Sequence, residues 1–344
     1  MSSAVPLSTL LEELLEGRSL GEAGAFELLH ALTAPDLDPA LAGALLAALR
    51  AKGLNGAELR GFARGMRALA RKPQLPVGPA AVDIVGTGGD RSGSLNLSTG
   101  AALLTAAAGQ RVIKHGNRSV SSQAGSADVL EALGLKLPLD EVAAGRCLAA
   151  CGFTFLFAPH YHPAMKAIAP VRRALGVRTV FNILGPLSNP AEPEFHVIGA
   201  FNLATAELMA EALAGMNIRR AFVIHGSDGW DEPTPAGPFD LLDVKDGRVR
   251  HERRDPADYG LALCAAADLA GSDAAGNAMA LRAVLSGADR GAHRDALLLG
   301  AALALEVSGA ESAPHAAVAR AAAAIDSGAA SKLLATLKQF SEEA

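Results

Sequence analysis

The stretch Asp83-Ile-Val-Gly-Thr-Gly-Gly-Asp90, followed by Asn96-Leu-Ser-Thr99 and then by Lys114-His-Gly-Asn-Arg118, decides how this chain is read. A short apolar run ends in a glycine-rich turn, a hydroxyl-bearing helix start follows, and a basic segment closes a second apolar run. Glycines let backbone amides approach an anion closely, because no Cβ stands between. A helix N-terminus adds unpaired N–H groups and a positive dipole end, and Lys114 adds a full charge. Together these parts predict a phosphate cradle of the kind that takes a pyrophosphate. The turn is not a Walker loop, since no Gly-Lys-Ser/Thr follows, nor a dinucleotide fingerprint, since the third glycine is missing. An ordinary strand-to-helix turn is the plain alternative; the hydroxyls, amide and acid gathered around it favour a ligand.

Outward from that stretch the pattern divides the chain. Before residue 72 the apolar spacing is helical: Leu7, Leu10, Leu11, Leu14 and Leu15 share one face. Ser19 and Glu22 fit a capping box ahead of Phe26, Leu29 and Leu32. Asp38-Pro39 offers an N-cap with proline at the first helical position, and Asn55 with Glu58 opens another helix. Residues 72–79 hold three prolines and read as a stiff crossing between domains. Beyond it, β-type runs at 81–85, 110–114, 153–158, 196–200 and 221–225 alternate with helical segments at 99–108, 126–133 and 204–216, the pattern of an α/β sheet. Asp246-Gly247, between 241–244 and 248–251, predicts an antiparallel hairpin and hence a mixed sheet. Residues 294–337 return to Ala/Leu helices. No internal repeat is present.

Composition bounds the function. The chain has 344 residues, half of them hydrophobic, 19% charged and 4% aromatic, with a mean hydropathy of +0.24. That is a folded protein of about two domains, with a core of Leu, Val and Ala. A net charge of −5 gives no general attraction to nucleic acid or to an anionic membrane. No apolar run is long enough to span a bilayer, and Met1-Ser-Ser-Ala-Val-Pro6 does not read as a signal peptide. Three cysteines cannot all pair within one chain. Cys147 and Cys151 lie one helical turn apart but lack a second pair at zinc spacing, so they read as buried thiols of a reduced cytoplasmic protein.

Three further groups carry chemistry. Lys114 and Asn117 emerge where ligands bind α/β sheets, beyond the carboxyl end of a strand; Asn117 offers both donor and acceptor. His160-Tyr-His162-Pro is followed on one helix by Lys166, Arg172 and Arg173. The His-X-His pair lacks a third metal ligand, whereas Arg172 can fork onto a carboxylate. Gly185, in Phe181-Asn-Ile-Leu-Gly-Pro186, permits a close backbone approach. Finally, Asp231 and Glu232 follow the run at 221–225; adjacent carboxylates repel, and magnesium carried on a polyphosphate is one reason to place them together.

Gly86-Thr-Gly-Gly-Asp90, Asn96-Leu-Ser-Thr99, Lys114-His-Gly-Asn-Arg118, Val171-Arg-Arg-Ala-Leu-Gly176, Asn182-Ile-Leu-Gly-Pro-Leu187 and Asp231-Glu232, in this order, resemble the anthranilate phosphoribosyltransferase family. The resemblance runs from the N-terminal helices to Ala324-Ile-Asp-Ser-Gly328. It implies a small all-helical domain (1–72, completed by a helical segment around 162–190) and a larger α/β domain (73–344) of nucleoside phosphorylase/phosphoribosyltransferase type, with a mostly parallel, mixed sheet flanked by helices. It implies a homodimer in the cytoplasm with a cleft site between domains. The implied reaction converts anthranilate and phosphoribosyl pyrophosphate to N-(5-phosphoribosyl)anthranilate and pyrophosphate, with Mg2+, early in tryptophan synthesis.

By matching positions, the resemblance has Gly86, Gly89, Asp90, Asn96, Ser98, Thr99 and Lys114 hold the phosphoribosyl donor. Ser98, Asp231 and Glu232 would position magnesium. Gly86, His115, Asn117, His162, Arg172 and Gly185 would line the anthranilate channel. Lys114, Arg172 and Asn117 would be catalytic, with no covalent intermediate. The chain departs from the family pattern at Arg91, where a small residue is common, at Trp230, at Pro233-Thr-Pro-Ala-Gly-Pro-Phe239 and at Gly300, where asparagine is frequent. Three rival readings remain at this stage: a same-fold transferase acting on another aromatic amine, a pyrimidine nucleoside phosphorylase, and a non-catalytic nucleic-acid-binding relative.

Overall fold

Asp38 and Asn55 start two helices as their sequence predicts. In this computed structural model, which describes residues 6–119 and 123–343, Asp38 Oδ1 accepts the amides of Ala40 and Leu41 at 2.8 and 3.0 Å ahead of Pro39–Lys52. Asn55 and Glu58 form a full capping box on Gly56–Leu69. Residues 1–5, read above for a leader, lie outside the described residues.

The box expected at Ser19 and Glu22 does not form. The helix starts at Gly21 and runs to Leu32 without a side-chain cap. Glu58 instead takes the Leu20 amide at 2.9 Å, and Glu22 is drawn to Arg60 and Arg64 of the neighbouring helix. Two guanidinium groups outcompete one backbone amide for a carboxylate. Leu15, at the end of Leu7–Leu15, is also exposed, while Leu10 and Leu14 are buried.

These helices pack around Leu28, Leu29, Leu45 and Phe62, and the core continues into Ile168, Phe181, Leu184 and Leu187 from the segment Met165–Leu187. A helical segment distant in sequence therefore packs into the same apolar core as the N-terminal helices.

Among the described residues seven strands form one sheet: β1 Val82–Gly86, β2 Val112–Gly116, β3 Phe153–Phe157, β4 Phe195–Gly199, β5 Arg220–His225, β6 Phe239–Lys245 and β7 Arg248–Arg254. The order is β3-β2-β1-β4-β5-β6-β7, parallel from β3 to β5 and antiparallel thereafter. The β6–β7 turn places Asp246 and Gly247 at φ of 51° and 72°, the left-handed pair a tight hairpin needs. Alternation along β5 decides the layering. Ala221 and Val223 face the core shared with the helical domain, while Phe222 and Ile224 face the second core, which includes the helices Leu97–Ala107 and Ala292–Val307. Burial on both faces is why the parallel strands read as near-continuous apolar runs.

The chain leaves β1 toward β2 and β3, then returns to β4 on the other side of β1. The carboxyl ends of β1 and β4 therefore flank the switch point of the sheet, the crevice where open α/β sheets bind ligands.

Candidate active site

Gly86 and Gly199 end β1 and β4 in register, side by side. Asp231 lies directly upon both: a Cβ on Gly199 would overlap the Asp231 carbonyl, and one on Gly86 would overlap its carboxylate. The glycine loop continues from this floor, with Gly88 at φ 69° and Gly89 at φ 77°. Asp231 Oδ2 accepts the Gly88 amide at 2.5 Å and the Thr87 hydroxyl at 3.3 Å. Among the described residues, the amides of Gly89, Asp90 and Arg91 have no acceptor. Successive unpaired amides around left-handed residues form an anion-binding concavity.

That loop borders a cavity of about 450 Å³ lined also by Asn96, Ser98, Thr99, Lys114, Asp231 and Glu232. Ser98 is the second residue of the helix Leu97–Ala107, and its amide donates to Glu232 Oε1 at 3.2 Å. The buried Thr99 hydroxyl has no partner among the described residues. Asn96 is committed to the scaffold: its amide nitrogen donates to the Ala124 carbonyl at 3.1 Å, and its oxygen accepts from Asn277 at 2.8 Å. Lys114, 2% exposed, donates to the Ile84 carbonyl and reaches Ser98 Oγ at 3.4 Å. Burial pulls its pKa down, against the attraction of Asp83, Glu232 and Asp231.

The acids tell the same story in reverse. Burial, with the Asp90 charge, pushes Asp231 up to about 7; burial, with Asp231 beside it, pushes Glu232 up to about 8. Two adjacent carboxylates under mutual repulsion, Asp231 buried and Glu232 half-buried, face a cavity of amides, hydroxyls and a lysine and fit a hard divalent cation. Among the described residues no group of three or more His, Cys, Asp or Glu forms a complete metal cage. Magnesium does not require one, since it commonly takes one or two carboxylates and completes its shell with phosphate oxygens and water.

A second cavity, about 560 Å³, shares Gly86, Gly89, Arg91, His115 and Asn117 with the first. Its far wall brings in Arg172, Arg178, Phe181, Gly185 and Phe201. Arg172 lies 5.1 Å over the Phe181 ring and has no hydrogen-bond acceptor among the described residues; burial lowers its pKa. Asn117 is exposed, its oxygen accepting the Arg118 amide at 2.7 Å. Arg118 itself is tied to Asp128 and Glu131. His115 meets the Gly185 carbonyl through Nδ1 at 3.2 Å, and burial depresses it to about 3, so it is a neutral ring donating from Nδ1.

His162 departs from expectation. It does not reach either cavity wall. It lies behind His115, ring centroids 5.0 Å apart and edge-on, held neutral by burial at about 4. The turn after Tyr161 carries it inward, so it backs the wall instead of forming it.

Several residues were not foreseen. Asp83 is fully buried beneath the floor, accepting the His115 amide at 3.2 Å and the Asn189 side chain at 2.9 Å; burial raises it to about 6 against the pull of Lys114. Thr87 lies within the glycine motif without being singled out by it, and Arg178, Phe201 and Asn277 carry no local motif. Of the departures, Arg91 lies on both cavities in a left-handed conformation, φ 62°. Trp230 is buried in the core. Gly300 packs so that a Cβ would come within 2.8 Å of Ala101 Cβ.

Fold and site define a glycosyltransferase: residues 78–331 match the glycosyl transferase family a/b domain, and residues 8–70 its helical bundle domain. The anthranilate phosphoribosyltransferase of Rhodospirillum rubrum is 46% identical over 336 residues, 98% of this chain and 96% of the relative. That of Moorella thermoacetica is 45% identical over 336 residues, 98% of each. The crystal structure of the enzyme from Thermus thermophilus, at 40% identity, superposes with a TM-score of 0.91 over 97% of this chain and 99% of that one. The Saccharomyces cerevisiae enzyme in complex with PRPP and Mg does so with a TM-score of 0.89 at 25% identity, over 98% of each. The chain belongs to the anthranilate phosphoribosyltransferase family.

Proposed function

We propose that the first cavity takes phosphoribosyl pyrophosphate with magnesium and the second takes anthranilate, joined to give N-(5-phosphoribosyl)anthranilate and pyrophosphate in tryptophan synthesis. The observation that carries this reading is the contact between Asp231 and Gly88, 143 residues apart, which brings the acidic pair onto the glycine loop. The relative from Saccharomyces cerevisiae, bound to PRPP and Mg, supports the choice of donor and metal.

Gly86, Gly89, Asp90, Ser98, Thr99 and Lys114 hold the donor, with the loop amides on the phosphate oxygens, while Asn96, fixed by Ala124 and Asn277, borders the same cavity. Asp231, Glu232 and Ser98 hold the magnesium, which supplies charge neutralisation on the departing pyrophosphate. Lys114 adds a fixed positive charge in a site shielded from water, where it acts more strongly than in solvent. Arg172 grips the anthranilate carboxylate, Asn117 and the neutral His115 border the acceptor, and Gly185 and Gly86 leave it space. His162 keeps His115 in place from behind.

The aromatic amine is already neutral near pH 7, so it attacks C1 of the ribose directly as the C1–O bond to pyrophosphate breaks. The amine then gives its extra proton to solvent water, and no covalent enzyme intermediate forms. What the protein contributes is alignment of two molecules across a shared wall, worth about 7 kcal/mol or more in ideal cases.

The small domain ends at 72, and the large domain begins at 73, within the proline-bearing crossing. The chain pairs as a homodimer, supported by an apolar groove of about 480 Å³ lined by Leu32, Leu37, Ile168, Val171 and Leu175 on the helical domain. Its free Cys147, Cys151 and Cys264 suit the reducing cytoplasm.

The test is loss of anthranilate fluorescence by purified protein. Loss that needs both magnesium and phosphoribosyl pyrophosphate is expected. Phosphorolysis of a pyrimidine nucleoside with no anthranilate consumed would overturn the reading.

A further inference from the structure

Arg178 stands between the helix Met165–Leu175 and the turn Phe181–Leu184. Its neighbours Val180 and Phe181 are packed into the small domain's core. Its guanidinium lies 4.0 Å over the Phe201 ring, and Nη2 donates to the Gly89 carbonyl at 2.6 Å. The fit is close: a Cβ on Gly89 would stand 3.0 Å from that nitrogen. Among the described residues the guanidinium has no second acceptor. A residue anchored in the helical domain's core thus holds the phosphate loop of the other domain.

The geometry of the peptide gives this bond a direction. In a trans peptide the C=O and the following N–H point to opposite sides. Drawing the Gly89 carbonyl toward Arg178, on the wall of the acceptor cavity, turns the Asp90 N–H the other way, and that amide has no acceptor among the described residues. Two peptides earlier, Asp231 holds the Gly88 N–H. Gly88 and Gly89 can each adopt either sign of φ, so without ties on both sides the peptide between them is free to rotate.

We propose that Arg178 is a positioning residue for the donor: it latches the Gly89 carbonyl and so aims the Asp90 amide at the donor phosphates. Arg178 lines the acceptor cavity yet serves the other substrate. Arg172, whose guanidinium has no acceptor among the described residues, remains the cation for the anthranilate carboxylate. The inference rests on the assignment of the two cavities made above.

The test compares wild type with Arg178→Met, Arg178→Lys and Phe201→Leu. It uses steady-state kinetics in both substrates and calorimetric titration of magnesium phosphoribosyl pyrophosphate without acceptor. Arg178→Met is expected to raise the KM and Kd for the donor about tenfold or more, the scale of one charge-assisted hydrogen bond. The KM for anthranilate should stay within about twofold, a split that loss of general rigidity would not produce. Arg178→Lys, which keeps one charged donor, should recover part of the donor affinity, and Phe201→Leu should show a weaker version of the same split. If Arg178→Met fails to fold, Arg178→Lys decides by the same split. A rise in the anthranilate KM alone, equal rises in both, or no change would each overturn the latch. Should wild type consume no anthranilate, the reaction assignment fails instead, while calorimetry still reads the latch through donor binding.

Discussion

The Asp231 carboxylate receives the Gly88 amide at 2.5 Å, so a residue just after β5 holds the loop that leaves β1. The same side chain is proposed to hold magnesium, which ties loop shape to metal binding. Asp231→Asn preserves size and removes charge. It is expected to weaken the binding of magnesium phosphoribosyl pyrophosphate about a hundredfold, since losing a charged partner costs about 1.5–3 kcal/mol. Calorimetric titration with and without the metal checks this, and unchanged affinity would remove Asp231 from the metal site.

The ligand-free protein should lose stability as pH rises from 6.5 to 8. Asp231 and Glu232 are raised to about 7 and about 8, so the folded state binds more protons than the unfolded one. A carboxylate raised in this way stabilises below its unfolded pKa, and that stability disappears as pH climbs through the folded value. The buried His115, His162 and His196, depressed to about 3, about 4 and about 3, act with the opposite sign. The unfolded imidazoles are still half protonated at about 6.5, so these histidines offset part of the acids' effect until about pH 7.5. The net loss expected by pH 8 is on the order of 1 kcal/mol. Melting curves across this range test it. Saturating magnesium with the donor should flatten the slope by keeping both acids ionised.

Arg172→Ala should raise the KM for anthranilate by about tenfold to a hundredfold, the range of a lost charged hydrogen bond. The donor KM should change little, because Arg172 borders only the second cavity of the two. Steady-state titration of each substrate separates the effects, and equal loss in both would count against the carboxylate role.

Arg91→Gly should stabilise the fold by about 0.5–1 kcal/mol. Arg91 holds φ at 62°, where a side chain strains the backbone and glycine does not. Its guanidinium has no hydrogen bond to lose among the described residues. Urea unfolding at constant m-value would measure the gain; a loss would show that Arg91 contributes contacts that outweigh the strain.

What could be read from the sequence was local. Asp38 and the Asn55–Glu58 pair cap helices through bonds spanning two or three residues, and Asp246-Gly247 turns a hairpin by its own backbone preference. The glycine loop and Lys114 were legible as one neighbourhood because residue types clustered along the chain, and they line one cavity. Ser19 and Glu22 misled because Arg60, a partner 38 residues away, claimed the carboxylate. Arg178 and Asn277 stayed hidden for the same reason: they act on Gly89 and Asn96 across 89 and 181 residues, and no short pattern encodes such a contact. Phe201, two residues beyond β4, had a usable signal in the rule that strand ends at the switch point face the ligand. His162 was placed in the right neighbourhood but at the wrong depth, which spacing alone does not specify.

The two cavities have Gly86, Gly89, Arg91, His115 and Asn117 in common, so they are adjoining rooms with a single partition. A synthetic molecule with an aryl carboxylate at one end and a diphosphate at the other, joined by a short spacer, would enter both at once. Once one end docks, the other is confined near its own pocket at an effective concentration in the millimolar range. Such a tethered inhibitor would bind far more tightly than either fragment, and the length of its best spacer would measure the span the enzyme closes during turnover.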